Sequence, residues 1–361
     1  MTDVLLAIGT AKGLVLARSH DRVSWSLSDL QFPMNGIYAV AIDTRSAPAR
    51  LFVSADSSHW GPAVLHSDDL GQSWAEPDEG AIAFPADTDT SFVRAWALAP
   101  SATEADVVWA GSQPSALFRS EDRGAHFTLV RSLWDHPHRP EWGAGFGGQA
   151  VHTVLPHPTD PARMLVAMSS GGAYRSDDGG ASWAASNTGV SAYFLPDPMP
   201  EFGQCVHKIA RDCGNPDRLY LQNHHGVYRS DDAGHTWQSI ADGLPADFGF
   251  AVVAHPRRRD VAFTFPITAD GMRLPPEHAC RVYRTEDAGA TWTALTTGLP
   301  QHDYYGSVLR DAMCADDADP AGLYVGTRNG EVYASTDDGE QWSQVAAHLP
   351  DVLCVRSAVV G

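Results

Sequence analysis

Cysteine, positive charge and long apolar runs are all scarce in this sequence. Five cysteines among 361 residues (Cys205, Cys213, Cys280, Cys314 and Cys354) make an odd set without CxxC spacing. That pattern implies neither a disulfide framework nor a zinc knuckle, and a reducing cytoplasm is the expected setting. Lysine and arginine total 25 against 44 acidic residues, a net charge of −19. Such a field repels phosphate backbones and anionic headgroups, so neither nucleic acid nor a membrane surface is an expected partner. No stretch approaches the ~18 apolar residues of a membrane helix. The first residues, MTDVLLAIGTAKGLVLARS, open on an acid, and Lys12 breaks their apolar run. They read as two strands and not as a signal peptide.

What is present is ordinary packing material, 43% hydrophobic and 19% charged, arranged in a repeat. SDDLGQSW (67–74), SEDRGAHF (120–127), SDDGGASW (176–183), SDDAGHTW (230–237), TEDAGATW (285–292) and STDDGEQW (335–342) share the pattern [ST]-x-D-x-G-x-x-[WF], about 50 residues apart. The chemistry is that of a hairpin turn: carboxylate and hydroxyl satisfy local N–H groups, glycine supplies positive φ, and the aromatic ring pins the next strand. These aspartates therefore read as fold residues, not catalysts. Two β-like runs precede each box, as in VHTVLPHP and RMLVAM before GAYRSDDGG. Each unit is thus a four-stranded antiparallel blade, with strands A to D and the box between C and D.

Six full blades are expected at 35–80, 91–130, 149–190, 204–245, 249–299 and 305–349. Residues 4–30, with SHDRVSW as a decayed box, supply strands B to D of another, and VLCVRSAVV (352–360) supplies its strand A. Joining the two ends removes an exposed sheet edge. The expectation is an all-β, seven-bladed β-propeller, residues 1–361 as one domain, with velcro closure by 352–360.

The six boxes identify the chain as a member of the Asp-box, or bacterial neuraminidase repeat, propellers. The blade count resembles the photosystem II stability/assembly factors and the half-propellers of xyloglucanases more than six-bladed sialidases. GQCVHK (203–208), QNHHGVYRSDDAG (222–234), DGLPADFG (242–249) and VLRDAM (308–313) resemble strings of a bacterial group called sialidase-like or BNR-repeat glycosyl hydrolases. That resemblance covers essentially the whole chain and implies an architecture, not a reaction.

Where the blades depart from one another, function is sought. The runs into strand A in PEWG (140–143) and PEFG (200–203) continue to GQAVH (148–152) and GQCVH (203–207), placing Gln149 with His152 and Gln204 with His207 at matching depths. Arg94, Arg310 and Arg356 occupy related positions elsewhere. Asn223, His224 and His225 fill the B–C turn of blade 5, where blade 4 has Ser169, Ser170 and Gly171. His152, His207, His224 and His225 are candidate ligands of a transition metal, Zn, Cu or Fe, with a carboxylate such as Glu141 or Glu201 beside them. An isolated histidine base, or histidines merely satisfied in the fold, are the alternatives.

Three functions stay open on the sequence. The first is an enzyme of hydrolase or lyase type acting on a small polar or anionic molecule at the channel mouth. There His207, His152 and Glu201 do the chemistry, Lys208 and Arg310 hold the anion, Gln149, Gln204, Asn223, Arg94 and Arg356 contribute further contacts, and Trp60, Trp142 and Phe202 wall the pocket. The second is a scaffold that grips a peptide on that face. The third is a true exo-sialidase, disfavoured because Arg94, Arg310 and Arg356 are the only candidates for the required arginine triad.

Overall fold

A computed structural model describes residues 3–145, 148–269 and 271–360. Their strands form seven antiparallel sheets, six of four strands and one of three, and these are the blades of a seven-bladed β-propeller. Among the described residues no helix is long and apolar enough to cross a membrane.

The chain clusters into two compact units. The first comprises Met1–Pro33, Gly189–Ser191 and His207–Gly361. It carries blade 1, whose strand order is Val352–Val359, Val4–Thr10, Gly13–Ser19 and Ser26–Leu27. The terminal strand pairs antiparallel with the first, from Val4 opposite Val359 to Thr10 opposite Val352. That is the expected closure, and it leaves all seven residues of Val4–Thr10 buried. The same unit holds blade 5 from His207 on (strands Val206–Arg211, Leu219–Asn223, Val227–Ser230, Gln238–Ser239), blade 6 (Gly249–Ala254, Ala262–Pro266, Val282–Thr285, Thr293–Leu295) and blade 7 (Met313–Ala315, Leu323–Gly326, Val332–Ser335, Trp342–Ala346). Leu6, Ile8, Phe263, Phe265, Tyr324 and Val355 belong to one continuous apolar core.

The second unit, Met34–Thr188 with Ala192–Val206, carries blades 2, 3 and 4. Blade 2 departs from expectation, with only three strands: Gly36–Asp43, Arg50–Ser57 and Gly61–Ser67. Its fourth strand shrinks to one bridge between His66 and Ala75. Pro77 follows closely and has no N–H with which to extend the ladder.

The boxes fold as their chemistry requires. In blade 5, Ser230 Oγ donates to Asp232 Oδ1 at 2.8 Å and accepts from Gly234 N at 2.8 Å. Asp232 also accepts from Thr236 N at 2.9 Å and Thr236 Oγ1 at 2.6 Å. Gly234 sits at φ 89°, in the left-handed region. The analogous bonds, from Ser182 first, hold the Asp178 carboxyl down at about 2. The decayed box keeps the geometry, with Asp21 Oδ1 accepting from Val23 N and Ser24 N at 2.9 and 2.7 Å.

A second capped turn, between strands A and B, recurs with changing residue types. Asp212 Oδ1 accepts from Gly214 N and Asn215 N, Asp316 Oδ1 from Ala318 N and Gly322 N, and His255 Nδ1 from Arg257 N and Arg258 N. His157 plays the same part toward Thr159 N in the second unit. Two of the sixteen histidines are thereby fold residues.

Candidate functional site

His207 lies in strand Val206–Arg211, 3% exposed, with Nδ1 2.6 Å from the carbonyl oxygen of Gly249 on the first strand of blade 6. A carbonyl only accepts, so Nδ1 carries the proton and Nε2 carries the lone pair. The close approach needs glycine at 249: a Cβ there would stand 2.9 Å from the Phe265 carbonyl oxygen and 3.1 Å from Gln222 Oε1.

The His207 ring is enclosed by others. Phe250 lies at 4.8 Å between centroids, Phe248 edge-on at 5.4 Å and His224 at 5.8 Å. Burial, then the nearby Arg310 charge, pushes the His207 pKa well below its ordinary value, so the ring is neutral at physiological pH.

The B–C turn of blade 5 resolves the two adjacent histidines. Asn223, fully buried, donates from Nδ2 to the carbonyl oxygens of Ser191 at 2.8 Å and His225 at 3.3 Å. The Tyr228 hydroxyl also donates to the His225 carbonyl, at 2.6 Å. Gly226, at φ 103°, fits under the Tyr228 ring, where a Cβ would come within 2.9 Å. Asn223 therefore fixes the turn, and it is His224 whose ring meets His207 and Phe248. His225 packs on His224 at 4.7 Å.

Lys208, next along the strand, leads to a charged group. Its Nζ donates to Asp311 Oδ1 at 2.6 Å, and Arg356 Nη2 donates to the same oxygen. Arg356 Nη1 goes to the carbonyl oxygens of Asp311 and Val355 at 3.1 and 2.9 Å. Burial raises the Asp311 carboxyl, but the two cations outweigh it and hold it well below the usual range. Two cations on one carboxylate leave one positive charge in excess, and Arg310 adds to the field at both Lys208 and His207. The Lys208 and Arg356 side chains stay 19% and 30% exposed while Asp311 is 5% exposed, so the cations are the part that solvent reaches.

The remaining residues singled out in the sequence lie in the second unit. His152 is fully buried, its Nδ1 3.3 Å from Thr153 Oγ1. Gln149 and Gln204 donate to the carbonyl oxygens of Trp142 and Pro200, at 2.6 and 2.7 Å, and so brace the loops that carry them. Trp142 is buried and donates to the Tyr174 hydroxyl at 2.8 Å, while Phe202 stacks on His138 at 4.0 Å. Both act as packed rings. Glu201 is exposed and its backbone carbonyl accepts from Asn187. Trp60 is 93% exposed. Arg94 pairs with Asp56 at 2.7 Å and lies 4.1 Å over the Tyr38 ring.

For a metal, the described residues offer one group of three donors: Cys205 Sγ, just ahead of the His207 strand, with ring nitrogens of His207 and His224, all within 4.8 Å of one another. Neither His152 nor His225 belongs to it. No spacing between cysteines marks Cys205 in the sequence, and Asp311 and Asp56 pair with cations distant along the chain.

No family model matches the chain. It is 25% identical over 258 residues to a xyloglucanase of Hypocrea jecorina (strain QM6a), covering 64% of this chain and 29% of that protein. A xyloglucanase of Paenibacillus sp is 24% identical over 235 residues, covering 56% and 21%. The chain thus spans less than a third of the length of these curated relatives. Among solved structures, an ancestral GH74 enzyme matches with a TM-score of 0.57 at 18% identity, over 86% of this chain and 38% of that one. YCF48 bound to D1 peptide matches at 0.51 and 12% identity, over 85% and 81%. At such identities the likeness is one of fold, and this chain is a β-propeller similar to those of GH74 enzymes and YCF48.

Proposed function

We propose that this propeller binds a small anionic or polar molecule beside His207 and acts on it as an enzyme of hydrolase or lyase type, with the His207 imidazole as general base. The hydrogen bond from His207 Nδ1 to the Gly249 carbonyl carries the reading, because it directs the basic lone pair to Nε2 in a ring that burial keeps neutral. The excess charge of Lys208 and Arg356 over Asp311 supplies attraction for an anion in an otherwise acidic protein. The stabilisation of the fold by phosphate, sulfate and small mono- and dicarboxylates tests it, by thermal shift on wild type and Arg310→Ala. At least one anion should raise the melting temperature of the wild type and raise it less in the variant. A wild type indifferent to every anion would sink the proposal.

A metal-assisted version has its own support in the Cys205, His207 and His224 donors, a soft set suited to Zn or Cu. Metal content by plasma mass spectrometry, in wild type and His224→Ala, separates it from the metal-free base. A peptide-binding scaffold is the second reading. It is favoured by the exposed side chains of Tyr193, Phe194 and Met199 and by the D1 peptide bound to YCF48. The five thiols, none in a disulfide, fit the cytoplasmic setting that belongs to the proposal.

A further inference from the structure

The B–C connection of blade 6 is unlike the others. Residues 267–281 join Ala262–Pro266 to Val282–Thr285, whereas residues 224–226 suffice in blade 5 and 169–171 in blade 4. The described residues of this insertion are tied down at both ends. Ile267 N donates to the Phe248 carbonyl at 2.9 Å, and the loop closes on itself through Thr268 N to the Leu274 carbonyl at 2.8 Å and Leu274 N to Thr268 Oγ1 at 3.2 Å. Arg273, just inside the closure, sits at φ 50°, a conformation it shares with non-glycine residues of the box turns such as Ala233 and Ala288. Its guanidinium carbon lies 5.6 Å from the Phe250 centroid and 5.9 Å from that of Phe248, the two phenyl rings that pack on His207.

We propose that Arg273 is the specificity residue of the His207 site, its ligand-contacting group, taking the carboxylate or phosphate of the bound molecule. A guanidinium stacked on aromatic rings is oriented before the ligand arrives, and its planar fork matches the two oxygens of an oxyanion. This inference rests on the anionic-ligand reading above and adds to it a residue from another blade.

Arg273→Gly is the informative variant, because glycine adopts φ 50° without strain and leaves the loop closure intact. Arg273→Lys keeps the charge and loses the fork. Isothermal titration with inorganic phosphate and with malonate distinguishes the two anion types. The expected result is a loss of at least ~10-fold in affinity for the preferred anion in Arg273→Gly, partial recovery in Arg273→Lys, and an unchanged melting temperature without ligand. Equal affinity in wild type and Arg273→Gly overturns this inference alone, as does a wild type that binds neither phosphate nor malonate while another anion raises its melting temperature, whereas a wild type that no anion stabilises removes the underlying reading as well. If Arg273→Gly also melts lower in the absence of ligand, Arg273→Gln provides the comparison, and affinity that follows stability and not charge counts against the proposal.

Discussion

Replacing Asp311 with asparagine isolates the charged group behind His207. The substitution keeps the size and one acceptor oxygen but removes the negative charge on which Lys208 and Arg356 converge. Two cations, held in the same place, then lose their only carboxylate partner among the described residues. Removing one member of a buried ionic group costs ~3–5 kcal/mol. With an unfolding entropy of ~2.1 cal/mol/K per residue, a cooperative transition of the whole chain would lose ~4–7 °C. The effect has a pH signature. Because the Asp311 carboxyl is held below its unfolded-state value, its contribution is complete above pH ~4 and disappears as pH falls below that. The gap between wild type and Asp311→Asn should therefore be widest near neutrality and narrow toward pH ~3. Differential scanning calorimetry across that range reads both quantities. Adding Lys208→Met to the variant should restore part of the loss, because the uncompensated cation is then gone. A variant melting within ~1 °C of wild type at neutral pH, or a gap that does not change with pH, would refute the reasoning.

Deleting 352–360 exposes the fully buried Val4–Thr10 strand; burial of Val352 and Val355 alone is worth ~3–6 kcal/mol, so calorimetry should show a melt lower by at least ~4 °C, with recovery when the VLCVRSAVV peptide is added in trans. Asp232→Ala removes the acceptor of one box and should cost ~1–2 kcal/mol in chemical denaturation while leaving anion affinity untouched, since the box is turn chemistry and not site chemistry.

The sequence determined the blades. The boxes at 67, 120, 176, 230, 285 and 335 are local devices, each satisfied within seven residues, so their spacing alone predicts sheets, turns and a count. The complementary ends predicted the closure for the same reason: an unpaired edge at each terminus has one economical solution. The A–B cap has no sequence motif because aspartate and histidine serve it interchangeably, as Asp212 and His255 show, and Ser101 does the same toward Glu104 N in blade 3.

Tertiary structure decided the site. Sequence placed His207, Lys208, His224 and Arg356 among the candidates, but Lys208 and Asp311 are 103 positions apart and meet only because the first strand of blade 5 and the entry to that of blade 7 converge, although blade 6 separates them along the chain. Likewise the proton on His207 Nδ1 is set by a carbonyl 42 positions away, and Arg273 reaches the same rings from an insertion with no counterpart in the repeat. Asn223, Gln149 and Gln204 break the repeat, and their amide groups donate to loop carbonyls, because an irregular turn must still satisfy its own backbone groups. Periodicity specifies what each blade does for itself, and only packing shows which side chains of different blades share one place.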